Sequence, residues 1–157
     1  MIQSIRYGGQ AKTQKDGKEV LIQVPSNVIL YNIGAFLDVT VTHPRTIQEI
    51  FTKKGESVPS AKVRALIDTG ASFSVISPEV ADSVRLVHTG YRKVTSVQDE
   101  QERPVFFGFL LFSWGNGKEI PLVACPLRHF DCLIGRDILM HWYLTYNGPD
   151  GSIVICD

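Results

Sequence analysis

The chain has 157 residues, enough for one ordinary domain with a core that needs neither metal nor disulfide support. Its 16 Lys and Arg balance 16 Asp and Glu, and hydrophobic residues make up 44%, which argues against a basic nucleic-acid binder or a polybasic membrane-surface protein. Cys125, Cys132 and Cys156 form an odd set without C-x-x-C spacing, so reduced thiols are expected rather than a disulfide framework or a zinc knuckle.

From the N-terminus, residues 1–18 are polar and lack the apolar run of a signal peptide, and Asp16 and Glu19 dilute the basic cluster of Arg6, Lys12, Lys15 and Lys18. The longest apolar stretch, 105–112, is too short to span a bilayer. A cytoplasmic protein with no membrane and no nucleic-acid partner is expected.

Short apolar runs bounded by turn residues then predict a mainly β chain. Strands are expected at 19–24 and 27–31, and at 35–41, where Ala35, Leu37, Val39 and Val41 alternate toward a core. A helix at 44–54 gathers Ile47, Ile50 and Phe51 on one stripe and closes at Lys53, Lys54 and Gly55. Strands follow at 62–67 and 73–76. A second helix starts with Ser77 as N-cap and Pro78 in the first turn, turning Val80 and Val84 inward. Strands at 91–97, 105–112 and 120–124 come next, with Gly108 marking a bulge and Asn116-Gly117 a tight hairpin. A third helix is expected from Gly135 through Trp142, and strands at 143–146 and 153–156 flank a turn at Asn147-Gly148-Pro149-Asp150-Gly151. No linker or repeat divides the chain, so 1–157 is read as one domain, with 1–33 as an extension or extra strands and 34–157 as the motif-bearing core.

Chemistry concentrates in Ala65-Leu66-Ile67-Asp68-Thr69-Gly70-Ala71-Ser72, an apolar strand that delivers a carboxylate into a turn of small residues. Gly70 allows close approach of a substrate backbone, and Ala71 and Ser72 add little bulk beside the acid. A bare Asp-Thr-Gly is a weak signal. A second segment, Cys132-Leu133-Ile134-Gly135-Arg136-Asp137, again runs from apolar strand through glycine toward a helix.

Together the two segments resemble the retropepsin family of aspartic peptidases, in particular its stand-alone bacterial members, over roughly residues 34–156. The resemblance implies a closed β barrel of the acid-protease type with two or three short helices. Asp68, Thr69 and Gly70 would be the catalytic triplet, and the Asp68 loop would cross the segment around Leu133 to Gly135 beneath the site. Substrate would contact Gly70, Ala71, Ser72, Leu133, Ile134 and a flap carrying Val97, Gln98 and Asp99. Gly135, Arg136 and Asp137 would give structural support.

Two departures stand out. Many viral members place an acid after Asp-Thr-Gly-Ala to pair with the arginine, where this chain has Ser72, so Arg136 is expected to find Asp137 or a terminal carboxylate across a dimer. The flap segment 96–103 has no glycine, and its carboxylates would disfavour acidic substrates.

The shared-proton logic established for aspartic peptidases then fixes a partner. Two ionised carboxylates about 3 Å apart repel by roughly 5 kcal/mol at an effective dielectric near 20, so such a pair holds one proton. No second Asp-Thr-Gly or Asp-Ser-Gly occurs here, and the second aspartate is expected from another copy of the chain. The expectation is a homodimeric aspartic endopeptidase acting on peptide or protein, with no cofactor and no metal. The terminal hairpin, with its apolar strand at 153–156, is the segment expected to exchange with the partner. The alternative is a catalytically silent, dimeric peptide-binding or scaffold module of the same fold. His43, His88, His129 and His141 show no metal-ligand spacing.

Overall fold

The computed structural model describes residues 1–15, 18–95 and 100–157. In chain order the elements are β1 (Ile2–Arg6), β2 (Gly9–Lys15), β3 (Lys18–Val24), α1 (Ser26–Ile33), β4 (Phe36–Thr42), α2 (Arg45–Lys53), β5 (Ser60–Ile67) and β6 (Val75–Ile76). They continue with α3 (Pro78–Val84), β7 (Val87–Thr95), β8 (Glu100–Phe112), β9 (Gly117–Ala124), β10 (Cys132–Ile134), α4 (Arg136–Leu139), β11 (Tyr143–Asn147) and β12 (Ser152–Cys156). The chain is mainly β, as its alternating apolar pattern predicts, and it divides into two compact units, 1–35 with 141–157 and 36–140.

In the larger unit the strands run β4-β5-β10-β6-β9-β8-β7, and β4 also pairs with β8, so the sheet returns on itself and leaves β7 outside the ring. Closure removes two edges that would otherwise expose unpaired backbone groups. Alternation supplies the core: Leu37, Val39 and Val41 of β4 and Val63, Ala65 and Ile67 of β5 are buried, while Asp38, Lys62 and Arg64 face out or lie at the margin. Ser77 accepts a hydrogen bond from the Val80 N–H to cap α3, and Val80 and Val84 are buried as the helical stripe requires.

The smaller unit contains a three-stranded sheet, β1-β12-β11, and a two-stranded ribbon, β2 with β3. The ribbon is amphipathic: Ala11 opposes Ile22 and Thr13 opposes Val20 on one face, while Lys12 and Glu19 form a 3.1 Å ion pair on the other. In the same unit Ile29 and Leu30 of α1 are buried with Ile153 and Ile155 of β12, and the Tyr146 hydroxyl donates to the Leu30 carbonyl at 3.1 Å. No helix among the described residues is long and apolar enough to cross a membrane.

Several expectations change. Residues 27–31, expected as a strand, form α1, which Gly34 ends at φ 90° while donating its N–H to the Leu30 carbonyl. With α1 the described residues hold four helices rather than two or three, and the third expected helix, from Gly135 to Trp142, contracts to the single turn of α4. The register shift lies not at Gly108 but on the facing strand between His88 and Gly90; a side chain at Gly108 would press on Leu122 at 3.0 Å. The turn after β8 takes its positive φ from Gly115 rather than from Asn116-Gly117, and a Cβ at Gly117 would strike the Phe109 ring. Finally, β12 does not offer an edge for exchange, because the polar N-terminal segment supplies β1 and β12 is paired on both sides.

Candidate active site

β5 is anchored by Val63, Ala65 and Ile67 and ends by presenting Asp68. It runs parallel to β10, Leu66 opposite Leu133 and Ile67 opposite Ile134, and the ladder continues one step further as the Asp68 N–H donates to the Ile134 carbonyl at 3.0 Å. Beyond the strand the chain folds over its own carboxylate. Asp68 Oδ1 accepts from the Gly70 N–H at 2.8 Å and the Ala71 N–H at 3.2 Å, an Asx-type turn that fixes the carboxyl plane. A Cβ at Gly70 would sit 3.1 Å from that oxygen, which is the local reason for glycine there.

The second motif closes the turn from below. The Arg136 guanidinium donates through Nη1 to the carbonyls of Thr69 and Gly70, both at 2.9 Å, and through Nη2 to Ser72 Oγ at 2.7 Å. Its backbone N–H takes the Ala71 carbonyl at 2.9 Å. Arg136 therefore secures three consecutive carbonyls of the Asp68 loop, the last through its backbone; holding the other two together with Ser72 Oγ suits its rigid fork better than the point charge of a lysine. Asp137, expected as a partner for Arg136, is engaged elsewhere: its carboxylate accepts from the Ser74 N–H and the Ser74 hydroxyl, each at 2.8 Å, and from the Ile138 N–H at 3.0 Å. The same Ser74 hydroxyl accepts from the Gly135 N–H at 3.1 Å. Ser72 thus fills the place of the expected acid with a neutral acceptor.

Asp68 opens onto a cleft of about 830 Å³. Gly70, Ala71, Ser72 and Leu133 line it as the motif implies, joined by Phe73 and Val75. Ile134 does not line the cleft: strand alternation turns Leu133 toward the cleft and leaves Ile134 fully buried. Thr69 is exposed on the loop, and its carbonyl is the one taken by Arg136. The facing wall is the β7–β8 hairpin, in the position expected for a flap; Val97, Gln98 and Asp99 lie outside the described residues. From this wall and the segment after β9 come residues the sequence reading did not assign to the site, Lys93, Gln101, Arg103, Cys125 and Leu127. For Gln101 and Arg103 the signal was the period-2 alternation of β8, legible only once the face toward Asp68 is known; Lys93, Cys125 and Leu127 left none.

Burial pushes the Cys125 thiol up, an effect the nearby Arg103 charge opposes. Cys132, fully buried beneath the loop, is pushed up to about 12, first by desolvation and then by Asp131 and Asp137, so it is an inert core thiol.

A carboxylate held at the end of a core strand, in a turn braced by a glycine-arginine motif and facing an open cleft, defines the aspartic-peptidase class of site. An aspartyl-protease family model matches residues 55–138, more than half of the chain and both motifs, and the chain belongs to this family. Among solved structures the chain is similar to the protease of simian foamy virus (mac), with 15% identity, TM-score 0.43, and coverage of 68% of this chain and 92% of that one. It is also similar to a retropepsin-like aspartic protease from Rickettsia conorii, with 13% identity, TM-score 0.48, and coverage of 99% and 94%. No curated protein sequence matches the chain.

Proposed function

We propose that this protein is an aspartic endopeptidase whose active form is a homodimer, with the two Asp68 carboxyls sharing one proton and activating the attacking water between them. The observation that carries the reading is the asymmetry of the Asp68 carboxylate. Oδ1 is saturated by the Gly70 and Ala71 N–H groups, and Oδ2 has no partner among the described residues. A carboxylate so held keeps its plane while one oxygen remains for water or for a symmetry-related acid. In the dyad one carboxylate acts as general base and the other, protonated, polarises the scissile carbonyl; the proton then passes to the leaving amine.

Family membership supports proteolysis in general. The requirement for a second copy rests on the single Asp-Thr-Gly in the sequence and on the repulsion that forces such a pair to share a proton. Substrate would lie extended between the β7–β8 hairpin and the Asp68 loop, bound largely through its backbone.

Asp68→Asn is the direct test. Asparagine keeps Oδ1 as acceptor for both N–H groups, so the loop persists while the base is lost. Cleavage of a mixed peptide library should fall by roughly 10²–10⁴-fold or more, with an unchanged circular dichroism spectrum. Equal cleavage by both proteins would refute the assignment. Failure of the wild type to cleave any peptide would favour the silent peptide-binding module instead.

A further inference from the structure

The cleft wall opposite Asp68 has an unusual charge pattern. In the β7–β8 ladder Arg103 lies directly opposite Arg92, and Gln101 opposite Val94. Residues opposite one another in register share a face of the sheet, so the two arginines are cross-strand neighbours, an arrangement that destabilises a hairpin unless an anion offsets it. That face borders the cleft, as do Lys93 and Thr95 of the alternate set. Arg103 and Gln101 line the cavity, and the Arg92 guanidinium rests over the ring of Phe73, itself a cleft residue, 5.1 Å from the centroid.

No described carboxylate neutralises this pair. Arg6–Asp150 and Lys12–Glu19 are ion pairs far along the chain from the hairpin. Glu100 and Glu102 lie opposite Thr95 and Lys93 in the alternate set, and neither glutamate lines the cleft. Among the described lining residues Asp68 is the one carboxylate, whereas both Lys93 and Arg103 are cationic. Arg103 is half-buried, its Nη2 donates to Gln101 Oε1, and the amide acceptor orients the fork without cancelling its charge.

We propose that Arg103, flanked by Arg92 and oriented by Gln101, is an anion subsite of the cleft, and that the peptides bound best carry a glutamate or aspartate side chain within the segment spanning it. This rests on the reading of the cleft as a peptide site. A guanidinium in a partly desolvated cleft takes a carboxylate through two parallel N–H bonds, and such charge-assisted bonds are the strong ones. In a homodimer the subsite occurs twice, once on each side of the dyad.

Two libraries of fluorescent peptides, identical except that one carries glutamate and the other glutamine at the randomised central positions, test the subsite. Binding is read by anisotropy with the full-length Asp68→Asn chain, and cleavage with the wild type. The glutamate library should bind about tenfold more tightly. Added to the Asp68→Asn chain, Arg103→Gln should abolish the preference, Arg103→Lys should retain part of it, and Arg103→Glu should reverse it toward a lysine library. Equal binding of the two libraries, or a preference unchanged in Arg103→Gln, overturns the proposal. If Arg103→Gln does not fold, the glutamate-to-glutamine comparison on the chain retaining Arg103 decides alone. Cleavage without preference would sink the subsite and spare the peptidase; preferential binding without cleavage by the wild type would do the reverse.

Discussion

At the scale of single residues, buried polar groups divide into those that are answered and those that are not. Ser74 is fully buried, yet its hydroxyl both donates and accepts, so it stabilises the junction of the two motifs. His43 is the contrary case. It is 3% exposed, lies 5.4 Å from the Phe51 ring, and neither ring nitrogen has a hydrogen-bond partner of normal geometry. Burial lowers its pKa below the usual imidazole value, with the Val84 backbone opposing the shift. The folded state therefore favours the neutral ring, and the unfolded chain binds more protons between the folded pKa and about 6.5. Stability from this residue is fully present above about pH 6.5 and is lost as pH falls through the folded pKa. Urea unfolding from pH 7.5 down to 5 should show the decline, and His43→Phe should flatten it. An unchanged slope in the variant would show that other groups set the acid limit. The sequence listed His43 only as a histidine without metal-ligand spacing; its burial depends on a helix stripe folding over the end of β4, which no local pattern records.

At the scale of elements, the site depends on how closely the second motif approaches the first. A Cβ built on Gly135 would lie 2.4 Å from the Phe73 carbonyl carbon and 2.5 Å from its oxygen, and a backbone so placed cannot yield as a flexible side chain would. Gly135→Ala should therefore cost about 3 kcal/mol in denaturant unfolding and displace the Asp68 loop. A loss under about 0.5 kcal/mol would mean that the two segments separate freely. Both motifs were legible in the sequence because chemistry constrains them to a few residue types at fixed order. So was the capped helix α3, where Ser77 and Pro78 leave little choice. What the sequence hid has physical causes as well. Val28, Ile29 and Tyr31 carry strand propensity, but the i, i+1 pair Ile29 and Leu30 is buried on one helical face, and tertiary burial overrides propensity. β1 and β2 carry few apolar residues, since β1 borrows its stability from β12 and β2 from β3. Arg136 was legible as a supporting residue in search of a carboxylate, but its actual acceptors in the Asp68 loop emerge only when two distant segments of chain meet.

At the scale of the whole molecule, one chain presents one Asp68, so the proposed chemistry makes activity a property of an assembly. Specific activity per chain should fall steeply as the protein is diluted below its dimer dissociation constant, and should return on concentration. Light scattering on the same samples should report the loss of mass at the same concentration; constant activity per chain through that transition would contradict a shared dyad. Because β12 is enclosed by β1 and β11, the open edges of the terminal sheet belong to those two outer strands, and pairing by edge addition would have to use one of them.

The order in which the polypeptide is made adds a constraint. Asp68 gains its fixed bearing from the Ile134 carbonyl and from Arg136, and Ser74 is tied down by Asp137, so the turn has no finished geometry while only the first 131 residues exist. A ribosome-bound intermediate that ends before residue 132 therefore lacks the bonds that brace the Asp68 turn from outside. On the proposed chemistry, competence at Asp68 waits for residues 132–137, which leave the ribosome more than sixty residues after the aspartate itself.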